Sequence, residues 1–349
     1  MKISIVIPVY NVEPYIGDCL KSVAAQTYKG EMECLIVDDC GQDQSIQIAK
    51  DFLLSYEGPI DFRMIHRKVN GGLSAARNSG IREATGTYVF FLDADDRIFP
   101  QTIESLVKVV QAHPHVDLVY GGTTVQYSAM KYGYYRVNPL QYKLYYEGKL
   151  EVLYAILFVL PAVAWNKLVR LSLILENELY FREGLIHEDE MWRWDIRNYI
   201  QSCAVCDEET YWYRQDNVNA ITAAKDETKS LCSQLEIYKI EIQSADFSNP
   251  VEKSFLFSFL SPSMKIKKWR LANHKDRVRS KIKDLLQTAS QIGMPWIIRH
   301  QISQWGWYDG LANHLFYAKW VYEYEKWCAE HLLNQPLKLY CSHVRNKTS

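Results

Sequence analysis

Short apolar segments alternate with amphipathic segments over the first 120 residues, and this alternation constrains the fold more than any other feature. Ile3–Val9 is a run rich in β-branched side chains, typical of a strand buried on both faces. Apolar residues then recur at helical spacing from Val12 to Val23, before the next short apolar run at Glu33–Val37. Because strands that alternate with helices build βαβ units, we predict an α/β fold with a mainly parallel central sheet.

The same alternation continues to residue 120 and then changes. Further strands are predicted at Ile60–Ile65, Thr87–Leu92 and Asp117–Tyr120, and further helices at Ser45–Leu54, Leu73–Ala84 and Pro100–Gln111. Residues 121–150 show no clear period and are interpreted as antiparallel strands or loops. Helices are predicted at Glu151–Leu160, Trp165–Leu175 and His187–Tyr199, short strands at Ala204–Cys206 and Thr210–Arg214, and a helical pattern from about residue 225 onward.

The composition is that of an ordinary globular protein. The 349 residues are 48% hydrophobic and 23% charged, with 16 Gly and 11 Pro, which excludes a disordered or collagen-like chain. Eight cysteines are scattered, and the one close pair, Cys203 and Cys206, lacks the second ligand pair that a structural zinc site requires. No apolar run approaches the roughly 20 residues that span a bilayer and no leader sequence is recognised, so a cytoplasmic location is expected.

Charge and tryptophan are concentrated near the C-terminus. Residues 251–349 carry 16 Lys or Arg against 7 Asp or Glu, and they hold six of the ten tryptophans. Two interpretations remain open: a solvated helical face packed on the rest of the protein, or a surface held against anionic lipids at the inner face of the plasma membrane. No nucleic acid is expected as a partner, because no recognition motif accompanies the basic residues.

Polar residues follow three predicted strands, at the point where each strand ends. The clusters are Pro8 to Asn11, Asp38-Asp39 and Asp93-Ala94-Asp95. In an open parallel sheet, ligands bind beyond the carboxyl ends of the strands, so these clusters are expected to surround one crevice. Asp93 and Asp95 are separated by one residue, a spacing that suits a hard cation such as Mg²⁺ or Mn²⁺. The alternative is that these aspartates only cap helices and stabilise turns.

Four segments carry a resemblance to a known family. Residues 3–11 (ISIVIPVYN), 36–39 (IVDD), 70–78 (NGGLSAARN) and 91–96 (FLDADD) resemble, in order and spacing, the motifs of family-two inverting glycosyltransferases with the A-type fold. Residues 165–168 (WNKL), 188–189 (ED) and 211–214 (YWYR) resemble the acceptor-side half of the bacterial capsule, lipopolysaccharide and exopolysaccharide assembly enzymes. The resemblance covers roughly residues 1–215. It implies a GT-A type, Rossmann-like fold for nucleotide-diphospho-sugar transfer, with a mostly helical C-terminal region.

The resemblance also implies a domain organisation and a reaction. Residues 1–225 would form the catalytic domain, with a donor half at 1–120 and an acceptor half at 121–225, and residues 226–349 the basic, Trp-rich helical region. The implied reaction moves a hexose or N-acetylhexosamine from a UDP-sugar to a growing bacterial surface glycan, with inversion and with Mn²⁺ or Mg²⁺ as cofactor. The implied acceptor is an oligosaccharide or a lipid-linked saccharide, and an aromatic helical tail is compatible with an oligomer.

Roles for single residues follow from the same resemblance. Asp95 and Asp93 would bind the metal, with Asp95 as the direct ligand. Asp189 would be the general base that takes the proton of the acceptor hydroxyl, with Glu188 as the second candidate. Lys167 and Arg214 would either reach a phosphate or be ordinary surface cations. Contacts to the nucleotide-sugar are implied for Pro8, Tyr10, Asn11, Asp39, Asn70, Arg77, Asp93 and Ala94.

Two alternative functions remain open. A nucleotidyltransferase acting on sugar phosphates also combines an α/β sheet with metal-binding carboxylates. Its first loop is usually glycine-rich and basic, whereas the segment Tyr10-Asn11-Val12-Glu13 is neither. A non-catalytic sugar-binding module is the second alternative, and it would leave Asp189 without a purpose.

Overall fold

The computed structural model describes residues 1–127, 131–135, 143–215, 217, 227–259 and 273–293. The chain divides into two compact units, Met1–Val218 and Asn219–Ser349. All six tryptophans of the basic C-terminal region lie outside the described residues, and so does most of the sequence beyond residue 259.

A ten-stranded sheet is the frame of the first unit. The strands are β1 (Ile3–Val9), β2 (Met32–Asp38), β3 (Asp61–His66), β4 (Tyr88–Phe91), β5 (Arg97–Ile98), β6 (Leu118–Tyr127), β7 (Lys131–Tyr135), β8 (Tyr145–Glu147), β9 (Lys167–Arg170) and β10 (Ser202–Arg214). Their spatial order is β3-β2-β1-β4-β9-β6-β10-β5, with β7 on β6 and β8 on β10. Strand β9 is antiparallel to both β4 and β6, so β1 to β4, β6 and β10 all run in one direction. The predicted mainly parallel sheet is confirmed.

Helices cover the sheet of the first unit. They are α1 (Ile16–Ala24), α2 (Ser45–Ser55), α3 (Gly72–Glu83), α4 (Thr102–Ala112), α5 (Lys149–Tyr154), α6 (Leu171–Glu176) and α7 (Glu188–Ile196), and α5 continues into a π-helical turn at Ala155–Val159. Helix α1 buries Ile16, Cys19, Leu20 and Val23, the residues whose spacing predicts it. At Gly80, helix α3 lies so close to β1 that a Cβ atom there would stand only 2.3 Å from a methyl group of Val6.

The predicted helix over Trp165–Leu175 is wrong in its first half. Lys167–Arg170 forms strand β9, which pairs with β4 and β6 on either side, and only Leu171–Glu176 is helical. Residues 167–170 lie between the edges of β4 and β6, so as a strand they form backbone hydrogen bonds on both sides. These hydrogen bonds outweigh the helix preference of the local sequence. Asn166, with φ 58°, turns the chain into the strand.

The two short strands predicted at Ala204–Cys206 and Thr210–Arg214 are one strand, β10. Its pairing with β6 shifts register between Val205 and Tyr211. Such bulges bend a strand and aim its side chains anew. They explain why the periodicity is interrupted although the strand is continuous.

A buried ionic cluster lies at the amino end of β1 and β2, away from the edge where ligands bind. The carboxylate of Glu33 accepts hydrogen bonds from the Ser4 hydroxyl (2.5 Å), the Thr85 backbone N–H (2.6 Å) and Arg63 (2.5 Å). Burial alone would raise the pKa of Glu33, but the hydrogen bonds from Ser4, Thr85, Arg63 and Lys2 outweigh it and lower the pKa to about 2. This acid is therefore a structural anchor of the sheet.

The described part of the second unit is helical, as predicted. Its helices are α8 (Thr228–Ser244), α9 (Pro250–Phe259) and α10 (Lys275–Gln291). Helix α10 buries Val278, Ile282 and Leu285 on one face, and an ion pair of 2.6 Å joins Lys281 to Glu236 of α8. Among the helices in the described ranges, none has the length and apolar character needed to cross a bilayer.

Candidate active site

The loops that follow β1 and β2 lie side by side at the carboxyl edge of the sheet. The Asn11 side-chain oxygen accepts a hydrogen bond of 2.7 Å from the backbone N–H of Gln42. Asn11 (φ 51°) and Cys40 (φ 61°) both have left-handed backbone conformations, which carry strain outside glycine and cluster at functional sites. Pro8 is buried in β1, whereas the Tyr10 side chain is 48% exposed beside it. The edge of β1 thus presents an aromatic ring to solvent on a rigid loop.

Asp39 holds the loop that leads into α3. Its two carboxylate oxygens accept the backbone N–H groups of Gly71 (2.9 Å) and Gly72 (2.8 Å), and the Arg67 guanidinium lies 2.8 Å away. The Asn70 side chain in turn donates to the Asp39 backbone carbonyl at 2.9 Å. A glycine is needed at position 72 because Gly72 has φ 81°, which side chains rarely adopt. Asp39 and Asn70 therefore join the loop after β2 to the loop that leads into α3.

Arg77 joins the two halves of the site. Its side chain is only 2% exposed, and its terminal nitrogens donate to Asp93 at 2.7 Å and to Glu188 at 2.8 Å. Burial opposes the charge of Arg77, but Asp93, Glu188 and the more distant Asp189 outweigh it and raise its pKa. Burial also raises the pKa of Glu188, against the effect of Arg77. One buried cation thus brings the acid after β4 and the acids that open α7 to one place.

The turn after β4 is fixed by β10. The Asp96 carboxylate accepts hydrogen bonds from the Tyr211 hydroxyl (2.8 Å) and from the Arg214 backbone N–H (2.7 Å). Burial, followed by the nearby charges of Asp95 and Asp93, raises the pKa of Asp96 well above its usual range. Asp96 is thus a support of the turn.

Asp95 lies at the tip of this turn, with the buried Ala94 before it. Its carboxylate accepts a hydrogen bond of 2.7 Å from Asn217, and its backbone carbonyl accepts one of 2.9 Å from Arg214. Burial and the charge of Asp93 raise the pKa of Asp95. The carboxylate is therefore oriented by neighbours but held near a like charge, an arrangement that a bound cation relieves.

Asp93 and Asp95 are the residues that would hold a divalent cation. No group of three or more His, Cys, Asp or Glu side chains poised to hold a metal occurs in the described ranges. One or two carboxylates completed by substrate phosphates and water are, however, a usual environment for Mg²⁺. The donor set and the raised pKa of Asp95 fit a cation that binds together with a nucleotide diphosphate.

Asp189 stands in the first turn of α7. His187, with φ 67°, turns the chain into the helix, and the half-buried Asp189 carboxylate accepts the Glu190 backbone N–H at 2.9 Å. Its neighbour Glu188 is bound to Arg77, so Asp189 is the acid of this pair that is not committed to that ion pair.

Lys167 is buried, which favours a structural role over contact with a phosphate. Its ammonium donates to the backbone carbonyls of Pro161 (2.7 Å) and Val163. Burial and then the charge of Arg193 lower the pKa of Lys167 to about 7. The side chain fixes the loop before β9 from inside the protein.

Aromatic rings complete the site, and we call Trp165, Tyr211 and Tyr213 the aromatic group. The Trp165 ring stacks on Tyr211 (centroids 4.5 Å apart, 17° between planes) and on Tyr213 (5.3 Å, 13°). Burial raises the pKa of the Tyr213 hydroxyl to about 12, and four carboxylates add to the rise: Asp96, Asp93, Asp95 and Asp189. The resemblance singles out the segments 165–168 and 211–214, but the stacking of their rings could not be foreseen, because the helical pattern assigns Trp165 to a helix. Sequence reasoning also missed Asn217, which follows β10 with no pattern to mark it.

Comparison with known proteins identifies the first unit. Residues 4–167 match the family model described as glycosyl transferase family 2. This chain carries a glycosyl transferase family 2 domain. The family predicted from the four motifs is confirmed, and the matched range contains every predicted nucleotide and metal residue but ends before the candidate base.

Several curated relatives of this family 2 domain are named as glycosyltransferases. The chain is 26% identical over 271 residues to the poly(ribitol-phosphate) beta-N-acetylglucosaminyltransferase TarS of Staphylococcus aureus, covering 75% of this chain and 44% of that protein. It is 34% identical over 196 residues to glycosyltransferase GlyA of Streptococcus pneumoniae, covering 54% of this chain and 27% of that protein. The chain thus spans less than half the length of these two relatives.

Solved structures share the fold of this chain. Residues 1–349 of S. aureus TarS in complex with UDP-GlcNAc superpose with a TM-score of 0.69 at 22% identity, covering 88% of each chain. The mannosyltransferase PcManGT of Pyrobaculum calidifontis, in complex with GDP-Man and Mn²⁺, superposes with a TM-score of 0.54 at 14% identity, covering 91% of this chain and 82% of that one. The predicted GT-A type fold is confirmed.

Proposed function

We propose that this protein is an inverting glycosyltransferase that moves a hexose or N-acetylhexosamine from a UDP-sugar to a hydroxyl of a bacterial surface glycan. One observation supports the proposal: buried Arg77 binds Asp93 and Glu188 at once, so the acid after β4 and the first turn of α7 lie next to each other. The similarity to TarS, whose structure holds UDP-GlcNAc, makes UDP-GlcNAc the first donor to test. The catalytic domain would span residues 1–225 and the helical region 226–349.

The donor would lie across the carboxyl edge of the sheet. Tyr10 offers an aromatic face for the base, and Asn11, Asp39 and Asn70 shape the wall beside it. The diphosphate would then reach the turn after β4, where Asp95 and Asp93 would hold Mn²⁺ or Mg²⁺. When bound, the cation neutralises the charge that develops on the departing diphosphate.

The acceptor hydroxyl would approach from the side of α7. Its oxygen forms the new bond to the anomeric carbon as the bond from that carbon to the UDP oxygen breaks, and its proton passes to Asp189. Attack on the face opposite UDP inverts the configuration at the anomeric carbon. Arg77 stays bound to Glu188 throughout, so it keeps α7 in place and leaves Asp189 to the acceptor.

The direct test is release of UDP from UDP-GlcNAc, UDP-glucose and UDP-galactose, with Mn²⁺ or Mg²⁺ and with EDTA. We expect release from at least one donor that depends on the metal. Binding of UDP without release from any donor would favour the sugar-binding module instead. Formation of a nucleotide-sugar from a sugar phosphate and UTP would favour the nucleotidyltransferase.

Asp95→Asn is expected to weaken Mn²⁺-dependent binding of UDP by at least about tenfold, because the variant loses a charged metal ligand. Calorimetry with UDP in the presence of Mn²⁺ measures the effect. Asp61→Asn is the matched control, since Asp61 is an exposed acid at the opposite end of the sheet. Equal affinity of the Asp95→Asn variant and the unsubstituted protein would exclude Asp95 as a metal ligand.

We propose, second, that residues 251–349 hold the enzyme at an anionic membrane surface. This region has 16 basic and 7 acidic residues, and its excess of positive charge supports the proposal. Arg277 and Lys283 of α10 are exposed. We expect the full chain to sediment with vesicles that contain phosphatidylglycerol, and less so at high salt, because salt screens such attraction. Equal sedimentation with pure phosphatidylcholine vesicles, or none with either, would contradict the proposal.

A further inference from the structure

Within the described part of the chain, the hydroxyl of Tyr213 makes no hydrogen bond, and its ring is half-buried. The neighbouring Tyr211 uses its hydroxyl in two hydrogen bonds, since it donates to Asp96 at 2.8 Å and accepts the Asp93 backbone N–H at 3.2 Å. The Tyr213 hydroxyl is not sealed inside the protein, so it can donate to a bound ligand.

Tyr213 stands beside the turn that holds the predicted metal ligands. Residues 211–214 of β10 pair regularly with β6, so alternate side chains share a face and Tyr213 lies on the same face as Tyr211. The flanking residues fix its position: Trp212 pairs with Arg97, and the backbone N–H of Arg214 donates to Asp96. Tyr213 is therefore at the carboxyl edge, next to the acids that follow β4.

Trp165 gives this tyrosine a rigid, flat neighbour. Its ring lies nearly parallel to that of Tyr213, at 13°, and both rings are only partly buried. The next residue, Asn166, is fully buried and donates to the carbonyls of Gly121 (2.8 Å) and Gly122 (3.1 Å). The aromatic plane is thus set by the sheet itself, as pre-organised binding of a ligand requires.

The order of the strands indicates which ligand meets these rings. Across the carboxyl edge, the loops of β2 and β1 come first, the acids after β4 come next, and β9, β6 and β10 follow. If the nucleotide lies over β1 and β2 and the diphosphate over β4, the aromatic group lies beyond the phosphates. That is the side from which the acceptor approaches, and Asp189 adds to the electrostatic field at Tyr213.

We propose that Trp165 and Tyr213 bind a pyranose ring of the acceptor. This inference rests on the proposed function. The aromatic rings pack against the C–H face of the sugar, and the Tyr213 hydroxyl donates to one of its oxygens. A flat, fixed surface matches a ring better than an open-chain polyol phosphate, so the acceptor unit is a pyranose rather than ribitol phosphate.

The test combines an acceptor panel with two variants. The panel contains octyl β-glycosides of glucose, galactose, mannose and N-acetylglucosamine and a ribitol phosphate oligomer, each with the donor that releases UDP. We expect transfer to a pyranoside in preference to the oligomer. Tyr213→Phe, which keeps the ring, is expected to raise KM for that pyranoside about threefold to tenfold, the effect of one hydrogen bond. Trp165→Leu is expected to raise it by a similar factor through lost packing.

Two controls separate binding from folding and from the donor site. Tyr28→Phe removes a hydroxyl bonded to the Met1 carbonyl at the opposite end of the sheet and should leave KM for the pyranoside unchanged. The Kd of UDP with Mn²⁺ should be the same in Tyr213→Phe as in the unsubstituted protein. A change in that Kd equal to the change in KM would assign Tyr213 to the donor and overturn the inference.

The remaining outcomes distinguish this inference from the proposed function. No UDP release from any donor would remove the proposed function itself. UDP release with transfer to the ribitol phosphate oligomer alone, or to no member of the panel, would overturn the pyranose assignment and leave the glycosyltransferase intact. Transfer to a pyranoside with an unchanged KM in Tyr213→Phe would overturn the role of Tyr213.

Discussion

Asp189→Asn is expected to lower the turnover number for sugar transfer by about 10²- to 10⁴-fold, the contribution that a positioned general base makes. The amide cannot take the acceptor proton, but it keeps the size of the carboxylate and its place in the first turn of α7. Binding of the UDP-sugar should therefore persist, because the nucleotide and metal residues lie on other elements. Turnover with a saturating donor and calorimetry with UDP and Mn²⁺ measure the two effects separately.

A matched control lies on the same helix. Asp195 of α7 forms an ion pair of 2.9 Å with Arg182 and stands two turns from Asp189. Asp195→Asn should retain transfer, so a loss confined to position 189 indicates chemistry and not helix stability. Near-normal turnover of Asp189→Asn, together with loss in Glu188→Gln, would move the role of the base to Glu188.

Arg77→Met is expected to lower the free energy of unfolding by about 3–5 kcal/mol, the cost of leaving a buried carboxylate without its partner. The variant leaves the carboxylate of Glu188, which is 7% exposed, without its ion-pair partner. It also removes the cation that lies between Glu188 and Asp93. The rate of sugar transfer should also fall, because no ion pair then joins α7 to the turn after β4. Equilibrium unfolding in urea, followed by tryptophan fluorescence, gives the free energy.

A double variant and a variant of an exposed ion pair test whether the unpaired buried charge causes the loss of stability. Arg77→Met combined with Glu188→Gln should recover part of the lost stability, because the stranded charge is removed with its partner. Arg182→Met breaks the more exposed pair with Asp195 and should cost less than about 1 kcal/mol. An Arg77→Met protein as stable as the parent would show that Arg77 does not hold the two halves of the site together.

The fold of the donor half could be predicted because local pattern and tertiary environment agree there. Ile3–Val9 is apolar at every position except Ser4 because both faces of β1 are covered, and the structure gives it the predicted bounds. Strand β9 could not be predicted in the same way. It is four residues long, and its conformation is decided by β4 and β6, which are distant in sequence.

The residues of the site could be proposed from motifs, but their contacts could not. Arg77 is predicted to line a nucleotide pocket, whereas the structure shows its terminal nitrogens bound to Asp93 and Glu188. No periodicity reports a contact between residues 77 and 188, because it depends on how α3 and α7 pack. The same holds for Asp39, whose carboxylate binds the backbone of residues 71 and 72.

The proposed reaction requires the acids after β4 and Asp189 to act on one bound donor. A crystal structure of the protein with UDP-GlcNAc and Mn²⁺ is the decisive experiment. We expect Mn²⁺ bound to Asp95 and the diphosphate, with the anomeric carbon turned toward Asp189. A donor bound away from Asp95, or an anomeric carbon that faces away from α7, would rule out this arrangement.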